Sequence, residues 1–143
     1  MPLWGDDATT MTLRLEGYSV LIVDDDIDIL DSMELAMRAE GAVTITAEDG
    51  TAAVAACTSA NPDAVILDMM LPKRSGFLVL EAFAEMENPP IVVMVTANQG
   101  KRHMAYAKSL GVAAYLVKPV GLDRLINTVS CLLQDQSKSE EHE

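Results

Sequence analysis

Six polar residues of this chain stand where short apolar runs stop. Asp24, Asp25 and Asp26 follow SVLIV (19–23), Asp68 follows DAVIL (63–67), Thr96 follows IVVMV (91–95), and Lys118, with Pro119 behind it, follows AAYLV (113–117). Each has an ordinary reading. Asp25 or Asp26 can cap a helix that begins near Ile27, Asp68 can belong to a turn before Pro72, Thr96 can cap the next helix, and Lys118 can be a solvated charge. Gathered at one place they would do chemistry. Two carboxylates about 5 Å apart repel by roughly 3 kcal/mol at an effective dielectric of 20, and raise each other's pKa unless a cation neutralises them. Magnesium suits such a cluster, being a hard ion that takes carboxylate, carbonyl and phosphate oxygens. Zinc does not, because no Cys or His stands near these positions, with His103 in an expected helix and His142 near the end. A metal on Asp24 and Asp25 beside Asp68, with Lys118 and Thr96 on phosphate oxygens, is an arrangement for phosphoryl transfer. Asp68 can then be the nucleophile, giving an acyl phosphate.

The elements that must bring these residues together are legible in the pattern. The apolar runs, with AVTIT (42–46) as the second of five, are rich in β-branched residues and nearly continuous, as strands buried on both faces should be. Between them lie helical stretches. Ile27, Leu30, Met33 and Met37 fall at helical spacing after the first run. Leu122, Leu125, Ile126, Val129 and Leu133 form a stripe after the last. Residues 50–59, 76–87 and 100–110 read as helices too, and Gly41 and Gly111 stand where helix ends favour positive φ. Five strand–helix units predict an α/β fold with a doubly wound, five-stranded parallel sheet. With strand order 2-1-3-4-5, the carboxyl ends of strands 1, 3, 4 and 5 bring the six polar residues to one edge, where such sheets bind ligands.

Length and composition narrow the field. The 143 residues, half of them hydrophobic, suffice for one domain. We expect residues 1–16 as an N-terminal tail, 17–135 as the domain, and 136–143 as an acidic tail or the start of a linker. A net charge of −12 with 4% aromatic residues argues against direct binding of nucleic acid or anionic lipid. The first residues, MPLWGDDATT, lack the pattern of a signal peptide, and no apolar segment approaches the roughly 20 residues a membrane span needs, so a cytoplasmic location is expected. Cys57 and Cys131 are expected as two buried thiols in a reducing compartment.

The segments VLIVDDD (20–26), VILDMMLPKRSG (65–76), MVTA (94–97) and AYLVKP (114–119) resemble, in order and spacing, the four signatures of response-regulator receiver domains, with the chemotaxis receiver as the familiar example. The similarity runs from about Tyr18 to Leu133 and implies a flavodoxin-like (βα)5 fold. Through it Asp68 matches the phosphoacceptor. Asp24 and Asp25 match the acidic pair that binds Mg2+, with Mn2+ as a substitute, joined by Asp68 and the backbone carbonyl of Met70. Thr96 matches the switch hydroxyl, Ala97 the small residue after it, and Lys118 the lysine that contacts the phosphoryl group, to which the Met69 backbone also contributes. Tyr115 matches the aromatic switch, the Lys118–Pro119 bond one that is cis, and Pro72 and Gly76 the turn after strand 3. Met70 and Asn98 stand near the path of hydrolytic water in the family, and neither orients water well, which implies slow loss of phosphate.

The resemblance implies a switch rather than an enzyme, one that catalyses only its own phosphorylation and dephosphorylation. A sensor histidine kinase or phosphotransfer protein would donate. An output protein or domain, or a second copy in a homodimer, would read the face formed by helix 4, strand 5 and helix 5. Two alternatives stay open at this stage. One is a small haloacid-dehalogenase-like phosphatase using Asp24 and Asp26 as a D-x-D motif. The other is a receiver-like binding module independent of phosphorylation.

Overall fold

The computed structural model describes residues 13–97 and 100–141, with side chains through Gln136. Five strands alternate with five helices: β1 Ser19–Val23, α1 Ile27–Ala39, β2 Val43–Ala47, α2 Gly50–Ala60, β3 Ala64–Leu67, α3 Gly76–Ala84, β4 Ile91–Thr96, α4 Lys101–Ser109, β5 Ala114–Val117 and α5 Leu122–Glu141. The sheet order is β2-β1-β3-β4-β5, and every pairing is parallel. The doubly wound arrangement expected from the apolar runs is therefore present, with strand limits within a residue of those read from the sequence.

The nearly continuous apolar runs follow from burial on two faces. In β1, Val20 and Ile22 point to a layer that includes Leu30, Met33 and Met37 of α1 and Leu125, Ile126, Val129 and Leu133 of α5. Leu21 and Val23 point the other way, toward Cys57 of α2, Val79, Leu80 and Phe83 of α3 and Ala107 of α4. Successive strand side chains alternate between faces, so a strand with helices on both must be apolar throughout. Each fully buried aliphatic side chain contributes about 1.5–3 kcal/mol. In α4 only Ala107 is buried.

Local signals fix the junctions. Asp26, Asp49 and Ser75 cap α1, α2 and α3 by accepting backbone N–H bonds. Gly41 and Gly111 take φ of +93° and +92° just past α1 and α4, the left-handed conformation that ends a helix at little cost to glycine.

Four details go beyond or against the sequence reading. Leu15 is fully buried in the α1–α5 layer, and its N–H donates to the Glu40 carbonyl at 2.8 Å, so the folded unit begins before residue 17. Arg14 reinforces this junction through ion pairs with Glu40 at 3.0 Å and Asp123 at 3.3 Å. At the other end the backbone stays helical to Glu141. Leu122 is exposed although it heads the apolar stripe of α5. Cys57 is buried as expected, but Cys131 is exposed, because it lies off the face that carries Leu125, Val129 and Leu133.

Candidate functional site

Parallel strands that all end at one edge deliver their next residues to one another. Asp24 leaves β1 with its N–H on the Ala47 carbonyl of β2 at 3.2 Å, and Asp68 leaves β3 with its N–H on the Val23 carbonyl at 3.2 Å. The backbone ladder thus extends through both residues and fixes where their side chains start. On the far side, Thr96 closes β4, and its carbonyl accepts from the Lys118 N–H at 2.9 Å.

The side chains meet at Lys118. Its ammonium donates to Asp24 Oδ2 at 2.8 Å and to Asp68 Oδ2 at 2.9 Å. Asp24 and Asp68 are almost wholly buried, and the Lys118 side chain is 19% exposed. Carboxylate oxygens of Asp24, Asp25 and Asp68 lie within 4.8 Å of one another, Asp25 being the exposed member. The remaining oxygens are occupied by backbone: Asp24 Oδ1 accepts from the Asp26 N–H at 2.9 Å, and Asp68 Oδ1 from the Met70 N–H at 3.0 Å. Burial alone would lower the Lys118 pKa, but the hydrogen bonds and charges of Asp24 and Asp68 outweigh it, and the net shift is upward.

Three carboxylates against one ammonium leave a formal charge of −2. A donor set made of carboxylate oxygens, with no imidazole or thiolate among the clustered residues, matches a hard divalent cation rather than zinc. The residues present therefore fit Mg2+, with Asp24, Asp25 and Asp68 as the side chains that would hold it.

The other expected site residues divide by position. Thr96 is fully buried at the end of β4, and Ala97 after it is exposed. Met69 is buried, its carbonyl accepting from the Gly76 N–H at 2.8 Å, while Met70 is 65% exposed. A Cβ on Gly76 would meet the Met69 Cα at 2.6 Å and the Asp68 carbonyl oxygen at 2.7 Å, so the turn after β3 requires glycine there. The Lys118–Pro119 bond is cis. Tyr115, half-buried, stands opposite Met94 in the β4–β5 ladder, and burial pushes its phenol up. Asn98 and His142 lie outside the described residues. His103 is far from a ligand role, its ring stacked on Phe77 at 5.8 Å. Asp26 is a cap: its Oδ1 accepts from the Asp28 and Ile29 N–H groups at 3.0 and 3.3 Å. That removes it from the D-x-D role of the phosphatase alternative.

Sequence reasoning passed over the turn Asp49–Gly50. Gly50 donates to the Pro72 carbonyl at 3.3 Å, and Asp49 lies 3.5 Å from the Lys73 ammonium. The signal was present as an Asp–Gly pair ahead of a helix, but it reads as a cap and nothing in the chain points to its partner.

A family model described as the response regulator receiver domain matches residues 20–130. The transcriptional regulatory protein PrrA of Mycobacterium tuberculosis is 36% identical over 115 residues, covering 80% of this chain and 49% of PrrA. The chain spans about half the length of the curated relatives it matches first. Among solved structures, a CheY-like response regulator receiver domain from Methanospirillum hungatei superposes with a TM-score of 0.82 at 27% identity, covering 87% of this chain and 98% of that one. A CheX–CheY complex with BeF3 and Mg2+ from Borrelia burgdorferi gives a TM-score of 0.77 at 28% identity, covering 82% of this chain and 90% of that one.

Proposed function

Because this chain belongs to the response regulator receiver family, a family of signalling modules, we propose that it is a phosphoacceptor switch whose acceptor is Asp68. The observation that carries this reading is the Lys118 ammonium shared by Asp24 and Asp68 at 2.8 and 2.9 Å, with Asp25 completing the acidic cluster. An Asp68 oxygen attacks phosphorus in the phosphohistidine of a sensor kinase or phosphotransfer protein. The P–N bond breaks as the P–O bond of an acyl phosphate forms, and the imidazole leaves with the electron pair and takes a proton.

Asp24, Asp25, Asp68 and the Met70 carbonyl are the groups that would hold Mg2+, or Mn2+ in its place. When bound, that ion supplies electrostatic stabilisation of the negative charge on the transferring group. The Borrelia relative solved with BeF3, a mimic of a phosphoryl group, and Mg2+ supports this assignment by analogy. Lys118, the Thr96 hydroxyl and the backbone N–H groups of Met69 and Ala97 take the phosphoryl oxygens. Phosphorylation adds about two negative charges at pH 7. Thr96 turns toward them, Tyr115 follows inward, and the α4–β5–α5 face changes for an output protein, an output domain or a second copy to read. The location read for such a module is the cytoplasm. Among the described residues no helix is long and apolar enough to cross a membrane.

Mass spectrometry after treatment with acetyl phosphate and Mg2+ tests the assignment. Wild type is expected to gain one phosphoryl group on Asp68, and Asp68→Ala none. Equal labelling of both, or a label on Asp24, overturns it.

A further inference from the structure

The loop that follows Asp68 is held from outside by the Asp49–Gly50 turn, which takes no part in the chemistry above. Gly50 donates to the Pro72 carbonyl at 3.3 Å. Asp49 caps α2 through the Ala52 N–H at 2.7 Å and lies 3.5 Å from the Lys73 ammonium. A Cβ built on Gly50 would lie 2.0 Å from the Arg74 carbonyl oxygen and 2.6 Å from the Arg74 Cβ. Gly50 is not among the glycines with positive φ, so its own backbone does not demand glycine. The neighbouring loop does.

Real Cβ atoms essentially never come within 3.0 Å of such neighbours. A methyl group at position 50 therefore requires a relative shift of at least about 1 Å, and because the nearest atom is backbone, no rotamer change relieves it. The segment that must move is tied at both ends. Upstream, the Met70 N–H holds Asp68 Oδ1 at 3.0 Å. Downstream, the Gly76 N–H holds the Met69 carbonyl at 2.8 Å. Displacing Pro72–Arg74 strains both bonds, and with them the orientation of the Asp68 carboxylate.

We propose that the Asp49–Gly50 turn positions the phosphoacceptor loop, and that Gly50 is the positioning residue for Asp68 because only glycine lets the loop seat against α2. This rests on the reading of Asp68 given above. The test is Gly50→Ala in the full chain, below its unfolding temperature. Helix propensity alone favours Ala at the start of α2, so a purely local role predicts a slightly more stable protein with unchanged chemistry. We expect backbone amide NMR shifts concentrated at residues 68–76. We also expect a maximal rate of labelling by acetyl phosphate lower by on the order of 100-fold, as for a misplacement of about 1 Å, with little change in the donor concentration at half-maximal rate. Gly111→Ala is the matched control: it strains a positive φ in open space at the opposite end of the sheet, and is expected to lose stability while the folded protein labels at the wild-type rate. Should Gly50→Ala not fold, Asp49→Asn keeps the cap, removes the Lys73 pair, and is expected to shift the same amides and slow labelling a few-fold. Unchanged loop amides and an unchanged labelling rate in a folded variant overturn the proposal. Absence of Asp68 labelling in wild type overturns the phosphoacceptor reading instead, and the loop amides still decide the role of Gly50.

Discussion

Replacing Lys118 with methionine isolates the electrostatics of the site. Methionine keeps most of the stem's bulk and removes the charge that lies 2.8 Å from Asp24 and 2.9 Å from Asp68. At an effective dielectric of 20, each contact is worth about 6 kcal/mol of gross Coulomb energy, most of it offset by the desolvation of the three groups. Without the ammonium, the carboxylates keep their desolvation cost and gain repulsion, roughly 3 kcal/mol for a pair of oxygens near 5 Å apart. Breaking a buried pair in this way costs about 3–5 kcal/mol, and we expect Lys118→Met to lose that much in EDTA. Added Mg2+ should restore the variant more than it stabilises wild type, since the formal charge of the cluster changes from −2 to −3. Each tenfold gain in affinity then appears as about 1.4 kcal/mol of extra stabilisation at saturating ion. Urea unfolding followed by far-UV circular dichroism, with EDTA and with Mg2+, reads both effects. Equal midpoints in EDTA, or equal gains from Mg2+, would refute the charge balance argued here.

Three further outcomes follow from the structure. Leu15→Ala removes a fully buried side chain and should cost about 2–5 kcal/mol in urea unfolding, whereas a free N-terminal tail would show no change. Glu40 is held below the usual carboxylate range by its hydrogen bond to the Arg14 side chain. A depressed folded-state pKa adds stability above the unfolded value, lost as pH falls through the folded one. Glu40→Gln should therefore cost under about 1 kcal/mol at neutral pH, as expected for a partly exposed pair, and progressively less as the pH falls below the ordinary carboxylate range, as chemical unfolding across that range will show. Cys131 is exposed, while Cys57 is buried and its thiol is pushed up by burial. Maleimide at pH 8 should therefore label Cys131 well before Cys57 in the native protein, and peptide mapping gives the order.

The fold was legible because its signal is dense. A strand packed on both faces cannot hide its composition, so SVLIV and IVVMV announce themselves and Gly41 and Gly111 punctuate the helices between them. The candidate site was legible for a related reason: once the strand order is known, the residue after each strand has one place to go. What escaped depends on contacts between distant segments. Leu15 is core only because the chain before β1 lies against the end of α1, 25 residues away, and no periodicity marks a single buried residue in a polar stretch. Gly50 looks like any glycine after a capping aspartate until the Arg74 carbonyl is seen against it. Cys131 was misplaced because apolar neighbours in sequence do not put a residue on the apolar face, and at helical spacing it lies opposite the stripe, whereas Leu122 is in line with the stripe but stands exposed at the first position of α5.

The same geometry separates two chemistries that share an aspartyl phosphate. A D-x-D phosphatase needs the first acid as nucleophile and the second as a free general acid. Here Asp24 is the most deeply buried of the clustered acids, its two oxygens committed to the Asp26 N–H and to Lys118. Asp26 is spent on two N–H groups at the start of α1, and withdrawing it would cost about 1 kcal/mol of helix capping. Asp68 is held in the same manner as Asp24, one oxygen on Lys118 and the other on a backbone N–H, so the separation rests on Asp26. The partners of Asp68, Lys118 and the Met70 N–H, are donors that suit a charged oxygen before transfer and phosphoryl oxygens after it. The loop behind Asp68 is closed by Gly76 and seated against Gly50. On the phosphoacceptor reading proposed above, an acid held by donors on a fixed loop, within a cluster whose two excess negative charges a divalent cation would offset, is the one that would take the phosphoryl group.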